Sequence, residues 1–217
     1  MKPLHTASKA VEPISDGATV MIGGFMCCGQ PLALVDALLE KGTKGLTLIC
    51  NDAGIPNTGI AKLIAAGRVK KLVASHIGLN PQAGEKMNKG EMEVLLVPQG
   101  TLVERIRAAG AGLGGVLTPT GIGTAVEQGK QKIALNGRDY LLEEALSADF
   151  ALVAADVSDQ FGNSFVGKAR KNFNIAMSMA AKHTIVETRE RRAVGQLDAD
   201  AMNIPGVFVH TLVEVPS

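Results

Sequence analysis

Tryptophan is absent from the 217 residues, and tyrosine occurs once, as Tyr140. Flat aromatic platforms on which bases stack are therefore scarce. Charge argues the same way: 22 basic side chains face 21 acidic ones for a net +1, with no basic run or stripe. Neither nucleic acid nor an anionic membrane is expected as a partner. No uncharged apolar run approaches the ~20 residues that a membrane helix needs. The start, Met1-Lys2-Pro3-Leu4-His5, lacks the apolar core of a signal peptide.

Cysteine is also sparse. Cys27, Cys28 and Cys50 are an odd number, and the first two are adjacent rather than spaced like metal ligands. Free thiols in a reducing cytoplasm are expected, with Cys27 and Cys28 filling space in a loop. His5, His76, His183 and His210 are scattered, so no metal site is expected. Also missing are a Gly-x-Ser-x-Gly elbow, a phosphate-clamping Gly-Lys-Ser/Thr and the G-x-G-x-x-G fingerprint. Serine hydrolases and P-loop enzymes lose their support with them, and a nucleotide-binding oxidoreductase subunit stays only as a rival reading whose loop spacing is wrong.

What is present reads as one ordinary folded domain spanning residues 1–217, with 46% hydrophobic and 20% charged residues. Short β-rich runs recur, each ending in small turn residues: Thr19–Ile22, Leu46–Cys50, Lys71–Ala74, Glu93–Val97, Phe150–Ala154, Thr184–Val186 and Val207–Val213. Their apolar stretches are continuous rather than alternating, as in strands covered on both faces. Helical patterns lie between them, at Pro31–Lys41, Ile60–Ala66, Thr101–Ala109 and Asn174–Ala181. Alternation of this kind predicts a layered α/β domain with a largely parallel sheet. Asn136-Gly137, between two apolar runs at 132–135 and 139–142, predicts a small β-hairpin excursion.

Ligands of open parallel sheets bind beyond the carboxyl ends of the strands. Four proposed strands end in suitable residues: Gly23-Gly24, Asn51, Ser75-His76 and Gln99. The loop Gly23-Gly24-Phe25-Met26-Cys27-Cys28-Gly29 joins a strand to a helix. Its glycines let main-chain N–H groups come close to a polar ligand near the helix's positive end. Asn51 and Gln99 are neutral amides that could donate to an oxygen gaining charge, or could merely cap loops. His76 could polarise a carbonyl or play a structural part. The glycine-rich stretch 109–115 fits a loop shaped around a ligand or a partner chain.

Together these segments resemble the family I coenzyme A transferases, in particular their A (alpha) subunit. The family signature reads as an acidic or amide residue, Gly, two variable positions, three apolar residues, Gly-Gly-Phe, three residues, Gly, one residue and Pro. The run from Asp16-Gly17 through Gly23-Gly24-Phe25 to Gly29-Gln30-Pro31 fits it at every fixed position. Val97-Pro98-Gln99-Gly100-Thr101-Leu102, Glu104-Arg105-Ile106-Arg107, Thr118-Pro119-Thr120-Gly121 and Asn172-Phe173-Asn174 are similar to the family as well.

The resemblance implies a three-layer α/β/α fold and a ping-pong exchange through a glutamyl-CoA thioester. It places the nucleophilic glutamate in a Ser-Glu-Asn-Gly motif of a B (beta) subunit, and that tetrapeptide is missing here. An A2B2 heterotetramer, inactive without its beta chains, is implied, with coenzyme A as co-substrate and no tightly bound cofactor. Carried over by position, residues Gly23 through Gly29 associate with CoA, Asn51 lies near the reacting carboxylates, and Gln99 donates to the oxyanion. Ala169-Arg170-Lys171-Asn172 departs from the family pattern, so no role passes to Arg170. The segments 56–60, 75–78 and 80–81 look most like enzymes using butyrate, acetoacetate or acetate, and less like those for succinate or 3-oxoadipate. A sugar-phosphate isomerase of similar architecture, or a binding protein without a transferase partner, is the rival reading.

Overall fold

A computed structural model describes residues 1–215. The chain runs α1 (Ala7–Val11), β1 (Thr19–Ile22), α2 (Leu32–Lys41), β2 (Leu46–Ile49), α3 (Ile60–Ala65), β3 (Val69–Ala74), α4 (Pro81–Asn88), β4 (Glu93–Leu96) and α5 (Gln99–Gly110). It continues with β5 (Gly115–Thr118), β6 (Lys132–Leu135), β7 (Arg138–Glu144), β8 (Ala148–Asp159), β9 (Ser164–Phe165), α6 (Asn174–Ser178), β10 (Ala181–Arg192) and β11 (Thr211–Glu214). The main sheet has the order β11-β10-β8-β1-β2-β3-β4, and the short β9 pairs with β8. Every neighbouring pair along that path is parallel.

Side chains alternate across a strand, and here the alternation feeds two cores. Val20 and Ile22 of β1 pack with Leu34 and Leu38 of α2, Leu63 of α3 and Ala83 of α4. Met21 between them packs on the opposite face with Leu102 and Ile106 of α5 and Met177 of α6. The sheet is thus covered on both sides, giving three layers, α/β/α. Strands added after β1 spread one way through β2, β3 and β4, whereas β8, β10 and β11 spread the other way. The crevice beyond the carboxyl ends of β1 and β8 is therefore a switch point, where such sheets bind ligands. The signature loop starts there.

Several elements differ from the sequence reading. Glu93–Val97 was expected to be covered on both faces, but β4 is the sheet edge, with Leu95 and Leu96 42% and 49% exposed. The helix expected over Asn174–Ala181 stops at Ser178, because Ala181 already pairs with Ala148 as the first residue of β10. The strand expected over Val207–Val213 begins only at Thr211, since Gly206–Phe208 makes a 3-10 turn that leaves Val207 exposed. The stretch 109–115 is not one loop: α5 extends to Gly110 and Gly115 opens β5. A Cβ on Gly115 would stand 2.5 Å from the Glu143 carbonyl oxygen, so close strand pairing within the chain already requires that glycine. The expected hairpin exists as β6 and β7, enlarged by β5 into a three-stranded antiparallel sheet.

Candidate active site

Asn51 follows β2 and is 1% exposed, so both ends of its amide need partners. Its Nδ2 donates to Asp52 Oδ2 at 2.6 Å, and its Oδ1 accepts from Gln99 Nε2, also at 2.6 Å. Ser75, at the end of β3, donates from Oγ to the Asn51 carbonyl at 2.7 Å. Three successive strand ends, those of β2, β3 and β4, are thereby knotted together. Gln99 is the first residue of α5 and is otherwise exposed. The structure thus joins the two amides that the sequence reading singled out, although 48 positions separate them.

Asp52 extends the network to the signature loop. Its Oδ2 also accepts from the Met26 N–H at 2.7 Å, while Oδ1 accepts from the Gly54 N–H at 2.7 Å. Phe25 and Cys28 close a tight turn through paired main-chain bonds of 3.0 and 2.9 Å, with Met26 in the left-handed region at φ 53°. Phe25 and Cys28 are exposed and Cys27 is half-buried. The N–H groups of Gly23, Phe25, Met26 and Cys28 are all engaged within the chain. Two of the loop's glycines, Gly23 and Gly24, also make room for neighbouring side chains.

Two carboxamides fill that room. Gln30 accepts from the Ile60 N–H through Oε1 at 3.1 Å and donates to the Met26 carbonyl. Asn174, fully buried at the start of α6, accepts from the Ala154 N–H at 3.0 Å. It donates to the carbonyls of Gly29 and Arg170 at 2.9 and 2.8 Å. A Cβ on Gly23 would collide with the Asn174 side chain, and one on Gly24 would lie 2.5 Å from Gln30 Cγ. The glycine pair is where the loop packs against Gln30 and Asn174.

The positive end of α2 is also occupied. Pro31 offers no side-chain cap, and Glu187 of β10 takes that place, accepting from the Leu34 N–H at 2.9 Å and facing those of Ala33 and Leu32. Burial raises the Glu187 pKa above the ordinary glutamate value, against the pull of these N–H groups. A ligand anion would have to displace it. The sequence assigns no role to the side chains of Glu187, Asp52, Gln30 and Asn174, because each works in part through partners far along the chain.

Other residues contribute less. His76 sits beside Asp52 in a single β-bridge, and its ring hydrogen-bonds to none of these groups. Arg170 pairs with Asp156, whose second oxygen accepts from the Gly167 N–H. Cys50 is buried; desolvation, aided by Asp52, pushes its thiol far above the ordinary range and makes it inert. A cavity of about 760 Å³ lies between β4 and the three-stranded sheet. Another, of about 460 Å³, opens next to Gln99, lined by Pro98, Gly100, Thr101, Val116, Leu117 and Thr118 among others.

Paired amides beside a carboxylate that already accepts three N–H donors can stabilise an oxyanion. No helix among the described residues is long and apolar enough to cross a membrane. The chain is 52% identical to the alpha chain of the acetoacetyl-CoA:acetate/butyrate CoA transferase of Clostridium acetobutylicum, over 93% of each chain. It is 50% identical to the alpha chain of the acetate CoA-transferase of Escherichia coli K12, over 97% of this chain and 96% of that one. Identity to the corresponding chain of the succinyl-CoA:3-ketoacid coenzyme A transferase of Helicobacter pylori strain J99 is 40%, over 96% and 90%.

Among solved structures, an acyl-CoA transferase of E. coli O157:H7, in a thioester complex with CoA, superposes with a TM-score of 0.88 at 22% identity. That match covers 99% of this chain but 47% of the other, so this chain spans just under half of it. The glutaconate coenzyme A-transferase of Acidaminococcus fermentans gives 0.84 at 20% identity, over 98% and 75%. These two likenesses concern the fold, which is the expected α/β/α architecture. Residues 4–215 match the family described as Coenzyme A transferase, and with half-identical relatives aligned over nearly their whole length, the chain belongs to the coenzyme A transferase family.

Proposed function

We propose that this chain is the A (alpha) subunit of a two-subunit CoA-transferase that moves CoA between a short-chain acyl-CoA and a carboxylic acid, with acetoacetate, butyrate and acetate as the acids. The whole of residues 1–217 acts as one domain in a reducing cytoplasm, assembled with its beta partner as A2B2. The observation that carries the reading is the pair Asn51–Gln99 at the strand ends, held at 2.6 Å beside a carboxylate already taken by N–H groups. Relatives about 50% identical are named for acetoacetyl-CoA, acetate and butyrate, whereas those named for succinyl-CoA or 3-oxoadipate are nearer 40%.

In the proposed exchange, the beta subunit's glutamate carboxylate attacks the acyl-CoA carbonyl. CoA leaves as thiolate and a mixed anhydride forms; the thiolate then attacks the glutamyl carbonyl and releases the first acid. Reversal with a second acid completes the cycle, and each half divides one difficult acyl transfer into two easier ones. The Gln99 Nε2 uses one proton on Asn51 and has a second to direct at the carbonyl oxygen as charge develops on it. The loop from Gly23 to Gly29 passes along the bound CoA.

Co-expression with a Ser-Glu-Asn-Gly-containing chain, followed by CoA-transfer assays across short acids, tests this reading. Transfer only in the complex, and borohydride trapping that labels the partner chain, are expected. Turnover of acyl-CoA by the isolated chain would overturn the reading, and isomerase activity there would favour the rival one. A succinate or 3-oxoadipate preference in the complex would reject the assigned acids.

A further inference from the structure

The two ends of a carboxamide have nearly the same shape, so its orientation is set by what its partners can accept or donate. An ionised carboxylate accepts only. Asp52 is 3% exposed and takes three N–H donors: Asn51 Nδ2, the Met26 main chain and the Gly54 main chain, at 2.6, 2.7 and 2.7 Å. Because Asn51 must turn its Nδ2 toward Asp52, its Oδ1 must face Gln99. Gln99 must then present Nε2 rather than Oε1 at 2.6 Å. One buried charge thus dictates, two side chains away, which end of Gln99 lies at the strand-end crevice. A glutamine turned over would bring an oxygen to the place where an N–H is needed.

We propose that Asp52 is a positioning residue of the acyl-exchange site: it locks the Asn51–Gln99 relay into its donating orientation and, through the Met26 N–H, ties the signature loop to the same anchor. This rests on the function proposed for Gln99. An amide at position 52 has one accepting and one donating end for three N–H groups. Either Gly54 loses its partner, or Met26 loses its own while Asn51 turns its oxygen inward and Gln99 turns with it. The two arrangements lose one bond each, so both become populated.

The test is a double-mutant cycle in the reconstituted two-subunit complex. Two arrangements populated about equally leave about half of the molecules with the donor in place, so Asp52→Asn should lower kcat about twofold with KM for acyl-CoA nearly unchanged. On the Gln99→Ala background the same change should leave kcat unchanged, because the group it orients has gone. In the ¹⁵N-labelled chain, the Gln99 side-chain amide resonances, assigned by their absence in Gln99→Ala, should shift or double in Asp52→Asn. Equal losses on both backgrounds, or unmoved Gln99 resonances, would overturn this proposal while leaving an impaired Gln99→Ala to support the function. A fully active Gln99→Ala complex would remove both. Should Asp52→Asn not fold, Asp52→Ser serves, since a hydroxyl can accept or donate and no longer fixes the relay; the same pattern is expected and the same outcomes reject it.

Discussion

Glu187 and Leu34 lie 153 positions apart, yet the carboxylate of one accepts the main-chain N–H of the other at 2.9 Å. A strand on one side of the switch point thus caps the helix that follows β1, and the cap fixes where the signature loop enters α2. Removing it with Glu187→Ala should cost about 1–2 kcal/mol, the usual loss for an uncapped helix start.

The same residue makes an unusual pH prediction. Its folded pKa is raised, mainly by burial, so the folded state holds this proton more tightly than the unfolded chain does. The site's contribution is therefore fullest below the ordinary glutamate value and is lost as pH rises through the raised one. Glu187→Gln, which carries no charge, should gain stability relative to the wild type as pH climbs from about 4 to 7. Chemical denaturation across that range checks it, and a difference that is flat or falls with pH would contradict the assignment.

Gly23 and Asn174 occupy the same small volume from opposite sides. Gly23→Ala forces its new methyl group into a fully buried amide that holds three main-chain groups, so a loss of about 1–3 kcal/mol is expected. Asn174→Ala leaves Ala154, Gly29 and Arg170 without that partner but opens space. Combined, the two should destabilise by clearly less than their sum, as residues in contact do. Thermal melting of the four proteins decides it, and strict additivity would mean that the glycine serves something other than Asn174.

The parts legible in the sequence are those written in contiguous residues. β1, β2, β3 and α2 show as apolar runs with small residues after them, and Asn136-Gly137 announces its hairpin. Asn51 and Gln99 could be singled out because amides after strands suit a parallel sheet's rim. Asp52 gave no such cue: an acidic residue before Ala-Gly looks like any turn, and its part depends on Met26, 26 positions away. α4 buries only Ala83 and so has no apolar stripe to detect. The last three residues of β10, Glu190-Arg191-Arg192, read as solvated surface but pair with Val157, Ser158 and Asp159 of β8.

His183 and His210 stack at the other end of the sheet, their ring centres 4.7 Å apart. His210 Nδ1 accepts from the Thr184 N–H at 3.0 Å, a bond that a protonated ring at that nitrogen would break. Burial lowers both pKa values, with His210 acting further on His183 and Lys2 on His210. Their contribution to stability is thus complete above about pH 6.5 and is lost as pH falls through the lowered folded values. His210→Asn, which offers Thr184 an amide oxygen without a charge, should flatten stability between about pH 6.5 and 5. An unchanged slope would place the acid sensitivity elsewhere.

Gln99→Ala gives the most direct reading of the site. The side chain is exposed apart from its bond to Asn51, so its removal leaves no large cavity, but it takes the partner of a buried amide oxygen and should cost about 1–3 kcal/mol of stability. In the complex with the beta chain, kcat should fall by ~100- to 1,000-fold, the usual loss for one oxyanion donor. Because the donor acts on charge that develops only in the transition state, KM for acyl-CoA should hardly move. Gln99→Glu should be as poor or worse: its carboxylate would face the Asn51 Oδ1 that Asp52 holds in place, and would offer the reacting oxygen a like charge. A variant that lost affinity but kept kcat would make Gln99 part of the binding surface for CoA and not a donor to the oxyanion.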